Sequence, residues 1–307
     1  MRWLALAILV AGCNQIFGVT TTKLSDAYIP DAEFVPPDAP DGDMDMVPDY
    51  ADNCPGDKNK NQRDLDGDGV GDACDNCPLL ANTTQDHGHD TDRVGDLCDP
   101  HPDKDKDCVL LFDSMHDMAT FGTMWTVVAD PADPAPAEVI VAADHVTLHP
   151  HPPYKVGIAA SLPALAELQV RGHVTLASGT SVAILSSATT LVTGYLCQLG
   201  YQAPSYSLIA HVGGNASVAS GGLVPPDPVS DVVLLRLGLT TPMGLASALG
   251  CRADYGVAVA TAVDSSATVL GTGGPMIIAT GVDFVIDGVE ITQHLPMNAT
   301  CPTEVDR

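Results

Sequence analysis

Residues Asp52 to Cys98 read DNCPGDKNKNQRDLDGDGVGDAC and then DNCPLLANTTQDHGHDTDRVGDLC. Each copy opens on Asp-Asn-Cys-Pro, passes an Asn and a Gln, and closes on Gly-Asp-x-Cys. The period is roughly 23 residues, which predicts small units built alike and set side by side. The chemistry lies in the second half of the first copy. Asp64, Asp66 and Asp68 alternate, Gly69 holds the sixth place, and Asp72 and Asp75 stand ninth and twelfth. Alternating carboxylates on a tight loop can converge on one ion, with the backbone carbonyl of Val70 adding an oxygen from the seventh place. Calcium takes roughly six to eight such oxygens at about 2.3–2.6 Å. Gly69 has no Cβ and so takes the left-handed backbone of a sharp turn without strain.

The same offsets recur on both sides. Upstream, Asp41, Asp43, Asp45, Asp49 and Asp52 repeat them, with Met46 in the glycine's place and Pro48 stiffening the loop. Downstream, Asp90, Asp92, Asp96 and Asp99 hold the third, fifth, ninth and twelfth places. There Gly88 stands first and Arg93 sixth, which predicts weaker binding unless Asp86 substitutes through the one-residue insertion. Asp103, Asp105 and Asp107 begin a fourth loop that stops at Cys108. No helical segments flank these loops, so the arrangement is not that of an EF-hand.

Asp-Asn-Cys-Pro, Asn-x-x-Gln-x-Asp and Asp-Gly-Asp-Gly-Val-Gly-Asp-x-Cys resemble the thrombospondin type 3 repeat, over about Asp41 to Cys108. The resemblance implies units with almost no hydrophobic core, wrapped around rows of calcium ions and closed by disulfides. It implies calcium-dependent rigidity and an adhesive or spacer use. Crowded carboxylates repel without a cation, so binding energy becomes folding energy in such a segment. The pairs expected are Cys54 with Cys74 and Cys77 with Cys98, each contributing about 3 kcal/mol on the chain-entropy account. Pairing across repeats, such as Cys74 with a neighbour, is the alternative.

The rest of the chain frames this segment. Among 307 residues there are 39 acidic and 13 basic ones, a formal net charge of -26. Such a surface repels nucleic-acid phosphates and excludes a nucleic-acid partner as an expectation. Of the acids, 23 lie between Asp26 and Asp107, so the chain has two regions of different character. Met1 to Gly12 read MRWLALAILVAG, too short to span a bilayer but suited to an export signal. Val10-Ala11-Gly12-Cys13 resembles the lipobox of bacterial lipoproteins, which implies lipidation of Cys13 and a membrane anchor at the outer membrane or cell surface. Removing Cys13 from the nine cysteines leaves an even eight, as an oxidising compartment suits. Residues 13–40, with Pro30, Pro36, Pro37 and Pro40, predict an acidic tether.

After Cys108 the pattern changes to short apolar stretches of period two, bounded by Gly, Pro, Ser and Asp. Strands are predicted over Glu138–Val141, Leu168–Leu176, Ser181–Leu185, Tyr195–Leu199, Ser207–His211, Val232–Leu239, Gly256–Val263, Met276–Ala279 and Val282–Ile291. Leu162–Leu168 and Pro242–Leu249 read as short helical turns. The fold class expected is mainly β: irregular calcium-binding repeats followed by a β-sandwich of jelly-roll type. The opening Leu111-Phe112-Asp113, Trp125-Thr126-Val127-Val128 and the closing Val282 to Ile291 look like a concanavalin A-like, or laminin G-like, sandwich. That resemblance implies a last strand pairing near the first, a Cys108–Cys301 staple at the domain ends, and an internal Cys197–Cys251 bridge. The organisation expected is a signal over 1–12, the tether over 13–40, repeats over 41–107, a sandwich over 108–301 and a tail over 302–307.

Catalytic patterns are not found in the sequence. The Glu-x-Asp-x-x-Glu triplet of sandwich glycosidases is missing, and Asp283, Asp287 and Glu290 are wrongly spaced for it. No G-x-S-x-G elbow appears, and Gly271-Thr272-Gly273-Gly274 reads as a turn. His145, His149 and His151 sit in a Pro-rich stretch read as an exposed loop rather than a zinc site. Trp125, Tyr201 and Tyr206 read as core or cross-strand residues before a sugar platform. The function expected is that of a non-enzymatic, calcium-binding surface lipoprotein, meeting a surface protein or polysaccharide. A carbohydrate-binding module on a calcium-stiffened stalk is the alternative, with a glycoside hydrolase behind it.

Overall fold

Alternating apolar residues along the C-terminal region form two antiparallel sheets packed face to face. The computed structural model describes residues 39–301 except 117, 136–137, 163–166, 192, 203–204, 213–217, 225–231, 241–247, 256–257, 265–272 and 296–298. The expected signal, Cys13, the tether up to residue 38 and the tail lie outside the described residues, as do most of the two expected helical turns. Among the described residues one short helix occurs, α1 (Met118–Met124), and no helix is long and apolar enough to cross a membrane.

The first sheet runs β13 (Ala258–Asp264), β12 (Ala248–Tyr255), β11 (Val232–Thr240), β6 (Glu167–His173), β15 (Phe284–His294), β4 (Val146–His149) and β3 (Glu138–Val141). An eighth strand, β1 (Asp107–Asp113), pairs with the second half of β15, setting Cys108 opposite Gln293 and Phe112 opposite Glu290. The second sheet runs β10 (Val218–Val224), β9 (Ser205–Val212), β8 (Thr193–Gln202), β7 (Ser181–Thr190), β14 (Gly274–Thr280), β5 (Lys155–Ala160) and β2 (Trp125–Ala129). The protein is therefore mainly β, and its last strand pairs with its first.

The core sits between the sheets. Leu168 and Val170 of β6, Leu235 and Leu237 of β11, and Phe284 and Ile286 of β15 meet Ile158 of β5, Ile184 of β7, Leu199 of β8 and Ile277 of β14. A register shift in β15 between Ile286 and Gly288 changes which residues face inward. Beyond it Val289 and Ile291 are buried in the core, and Gly288, Glu290 and Thr292 turn to the opposite face. The Cys197–Cys251 disulfide joins β8 to β12 and so crosses between the sheets, while Cys108–Cys301 ties β1 to the chain beyond β15.

Strand β4 corrects part of the reading of the histidine stretch as a loop: His149 ends a strand, while His145 and His151 lie outside strands. Val146 and Leu148 are fully buried and alternate with Thr147 and His149, so the strand continues until Pro150. Strands β5, β10 and β12 lie outside the predicted set: their runs are short and rich in Gly and Ala, which leaves the period-two signal weak.

The repeat segment does not stand apart from the sandwich. Both belong to one compact unit, Asp41–Arg307. The repeats lie on the outer face of the first sheet, where Leu79 packs with Phe112 and Leu234 and is flanked by Leu65, Leu80 and Val109. Three side chains of the sheet donate to repeat carbonyls: Gln169 to Cys98 at 2.9 Å, Arg171 to Leu79 at 3.2 Å, and Arg236 to Leu97 at 3.1 Å. Arg63 returns the favour, donating to the carbonyl of Ser114 at 2.9 Å. The outward polar residues Glu167, Gln169, Glu290 and Thr292 are buried as a result.

Candidate metal centres

Each acidic loop is closed by its own backbone amides. Asp64 Oδ1 accepts from Gly67 N at 2.7 Å and its Oδ2 from Gly69 N at 2.9 Å. Asp66 Oδ1 accepts from Asp68 N and Asp68 Oδ1 from Val70 N. Asp68 Oδ2 accepts from Asn82 N of the next copy at 2.7 Å, which links successive copies. The first loop repeats the scheme residue for residue: Asp41 takes Met44 N and Met46 N, Asp43 takes Asp45 N, Asp45 takes Val47 N, and its second oxygen takes Asn59 N. In the third loop Asp90 takes Asp92 N, Asp92 takes Val94 N, and Asp92 Oδ2 takes Asp107 N.

This scaffold aims carboxylate oxygens at common points. Asp41, Asp43 and Asp45 bring ligand oxygens within 4.8 Å of one another, as do Asp64, Asp66 and Asp68, and Asp90, Asp92 and Asp99. The third-place Asp43, Asp66 and Asp90 each keep Oδ2 buried without a hydrogen-bond partner, and so do the twelfth-place Asp52 and Asp99. Buried anionic oxygens left so are costly, and a divalent cation is the group that satisfies several at once. Burial, then the charges of Asp75, Asp68 and Asp64, push the Asp66 carboxyl up to about 7. Burial likewise raises Asp43, Asp72, Asp75, Asp92 and Asp99, with neighbouring aspartates adding to each. An oxygen-only, multiply anionic set of this kind fits a hard cation.

Residues 39–62 and 56–85 match the family model of the thrombospondin type 3 repeat. Residues 39–85 are thus similar to thrombospondin type 3 repeats. The match takes in the first two loops, and the third follows it directly. No curated protein matches the chain. Among solved structures, the chain is similar to the metal-free Emp46p carbohydrate recognition domain at 11% identity and a TM-score of 0.43, covering 60% of this chain and 94% of that one. It is similar to LamAcat from Zobellia galactanivorans at 13% identity and 0.42, covering 61% and 98%. A Bacillus licheniformis β-glucanase stands at 10% identity and 0.41, covering 60% and 98%. Likenesses at this level carry no argument about ligand or activity.

In the acidic loops each ninth-place carboxylate gives one oxygen to its own loop, while Asp72 Oδ2 and Asp96 Oδ1 stay buried without a hydrogen-bond partner. Asp49 Oδ1 accepts from Gly42 N at 2.7 Å, Asp72 Oδ1 from Leu65 N at 2.8 Å, and Asp96 Oδ2 meets His89 Nδ1 at 2.5 Å. Each thus reaches back to the second place of its loop and holds the loop shut. The twelfth-place Asp52 and Asp75 are positioned by the repeat's own Gln, with Gln62 Nε2 at 2.8 Å and Gln85 Nε2 at 2.7 Å. Val70 is half-buried and its amide is held by Asp68. Disulfides close the copies at Cys54–Cys74 and Cys77–Cys98. The apolar seam at Leu65, Leu79, Val94 and Leu80 gives these repeats more core than the family resemblance implies, because the sandwich supplies its other side.

The fourth loop does not form among the described residues. Asp105 accepts from Thr91 N at 2.7 Å and from its hydroxyl at 2.8 Å, while Asp107 turns toward Asp99 and two histidines. Asp107 occupies the place in the third copy that Asn59 and Asn82 hold in the others. Counting 14 residues on from Asp45 and Asp68, and 15 from Asp92 because one further residue is inserted after Asp99, locates it in the sequence.

Other candidates disperse. His145, His149 and His151 pair separately with Asp144, Asp283 and Asp133. Asp287 pairs with His173 at 2.8 Å, and Trp125 is buried with Nε1 donating to Asp113 at 2.8 Å, so it offers no sugar platform.

Proposed function

We propose that this protein is an exported, lipid-anchored surface protein in which calcium ions fasten a thrombospondin type 3 segment onto a β-sandwich, with a structural or adhesive role and no catalytic one. The calcium reading is carried by the third-place aspartates Asp43, Asp66 and Asp90, each with a buried oxygen lacking any partner in an otherwise amide-held loop. A hard cation at each loop offsets that burial and the mutual repulsion. Export is supported by the cysteine count: eight of the nine are joined in four disulfides, which leaves Cys13 after the signal-like run.

The adhesive reading gives the sandwich a surface protein or a polysaccharide as its partner. Calorimetric titration of the full chain tests the calcium part. Heat from two strong sites and one weaker one is expected, and Asp66→Asn should remove one strong site. Equal heats from wild type and Asp66→Asn reject the assignment. Membrane fractionation of Cys13→Ala tests the anchor: release into the soluble fraction is expected, and unchanged retention rejects it.

A further inference from the structure

We propose a second kind of metal site, for a borderline transition cation such as zinc, built by His101, Asp107 and His294 where the third repeat meets the sandwich. The three come from separate places in the chain: the repeat segment, the first residue of β1 and the last of β15. Their ligand atoms lie within 4.8 Å of one another. His101 Nδ1 stands 3.2 Å from Asp107 Oδ1 and His294 Nδ1 stands 3.1 Å from the same oxygen. Zinc bonds of about 2.0–2.2 Å in tetrahedral array put neighbouring ligand atoms about 3.3 Å apart. The observed spacings are close to that edge. The two imidazole rings face each other at 4.9 Å between centroids, inclined at 53°.

Two further observations set this cluster apart from an ordinary His–Asp contact. Asp107 is 1% exposed, and its Oδ2 is buried with no hydrogen-bond partner. The far nitrogen of His101, Nε2, faces Glu167 Oε1 at 3.6 Å, and Glu167 is itself buried. A carboxylate behind a metal-bound imidazole fixes its tautomer and orientation, and this is the arrangement ligating histidines commonly have. Two nitrogens and one carboxylate favour zinc over calcium, which prefers oxygen alone. His294 is 37% exposed, which leaves an approach for the ion and for a water as fourth ligand. The site would pin the third repeat to both terminal strands of the sandwich, beside the third acidic loop, whose Asp92 holds the Asp107 amide.

The same spacings would result from two imidazole N–H groups donating to one carboxylate oxygen, and a titration separates the two. The untagged full chain, in saturating calcium, is titrated with zinc by calorimetry and with cobalt(II) by visible absorption. One zinc per chain is expected, with a four-coordinate cobalt spectrum that zinc abolishes. His294→Ala should lose the cobalt spectrum and weaken zinc at least about 100-fold, and Glu167→Gln should weaken it about 10-fold. His149→Ala, at an unrelated His–Asp pair, should leave both unchanged. Calcium titration of His294→Ala should match wild type, which shows that the variant is folded and that the two kinds of site are separate. Absence of zinc binding in wild type, or equal zinc affinity in wild type and His294→Ala, overturns the site.

Discussion

Leu79 of the second repeat lies so close to Gly288 of β15 that a Cβ on Gly288 would fall 2.8 Å from its Cδ2. Leu65 of the first repeat crowds the same point, at 2.5 Å. The bulge that turns Gly288 outward therefore makes the seat for two consecutive repeats. Leu79→Ala should cost about 2–5 kcal/mol, the usual range for emptying a buried leucine site. Gly288→Val should displace both leucines and release the repeats while the inter-sheet core persists. Limited proteolysis checks this: cleavage within residues 41–107 should rise in both variants, with the sandwich fragment retained. Uniform loss of the whole chain would contradict the seat.

The first loop carries strain that the second avoids. Met44 and Met46 have φ of 67° and 85°, at the places where Gly67 and Gly69 have 81° and 95°. Both methionine side chains are largely exposed, at 75% and 78%, so little packing opposes replacement. Met46→Gly should stabilise the calcium-loaded protein by about 1 kcal/mol, since a left-handed residue with a Cβ costs about 1–2. A rise in thermal midpoint and tighter calcium at the first loop are the readouts; a fall in either would count against this account.

Acid should release the cation. Burial, and then the charges of Asp75, Asp68 and Asp64, push the Asp66 carboxyl up to about 7 in the ion-free fold, above the ordinary aspartate value of about 3.9. A raised carboxyl means that the ion-free folded state holds more protons than the unfolded state between those two values. Ion-free stability therefore falls as pH rises from about 4 through about 7, and a bound cation, which displaces the proton, reverses that trend. Calcium affinity should drop steadily below about pH 7, with proton release on binding detectable by comparing buffers of different ionisation heat. Affinity constant from about pH 5 to 8 would contradict the carboxylate origin of the site.

The disulfide between β8 and β12 closes 54 residues. On the chain-entropy account, the paired change Cys197→Ala and Cys251→Ala should lower stability by about 4 kcal/mol, without altering calcium stoichiometry. Denaturant melts in saturating calcium read the loss.

The acidic loops were legible because cation chemistry leaves a rigid spacing: carboxylates at alternate places and a glycine at the turn. The inward faces of β7, β11 and β15 were legible because β-branched and leucine residues alternate there. What the sequence concealed was the contact between the two regions. Glu167, Gln169, Glu290 and Thr292 alternate with core residues as solvent-facing strand residues do, yet they are buried beneath the repeats. Period-two patterning marks the face opposite the core and says nothing of what covers it. His101 and His294 escaped for a related reason: 193 positions separate them, and only the pairing of β1 with β15 brings them together. The ninth-place aspartates match the ligand offset, and each also holds an amide or imidazole at the second place, a contact that the offset alone does not show.

Hydrogen exchange of the intact chain in millimolar calcium and in excess chelator tests most directly whether cations hold the repeat segment on the sheet. Chelation should expose the amides of residues 41–107, while the central strands β6, β7, β11 and β14 stay protected. Identical protection of residues 41–107 in both conditions would contradict the account.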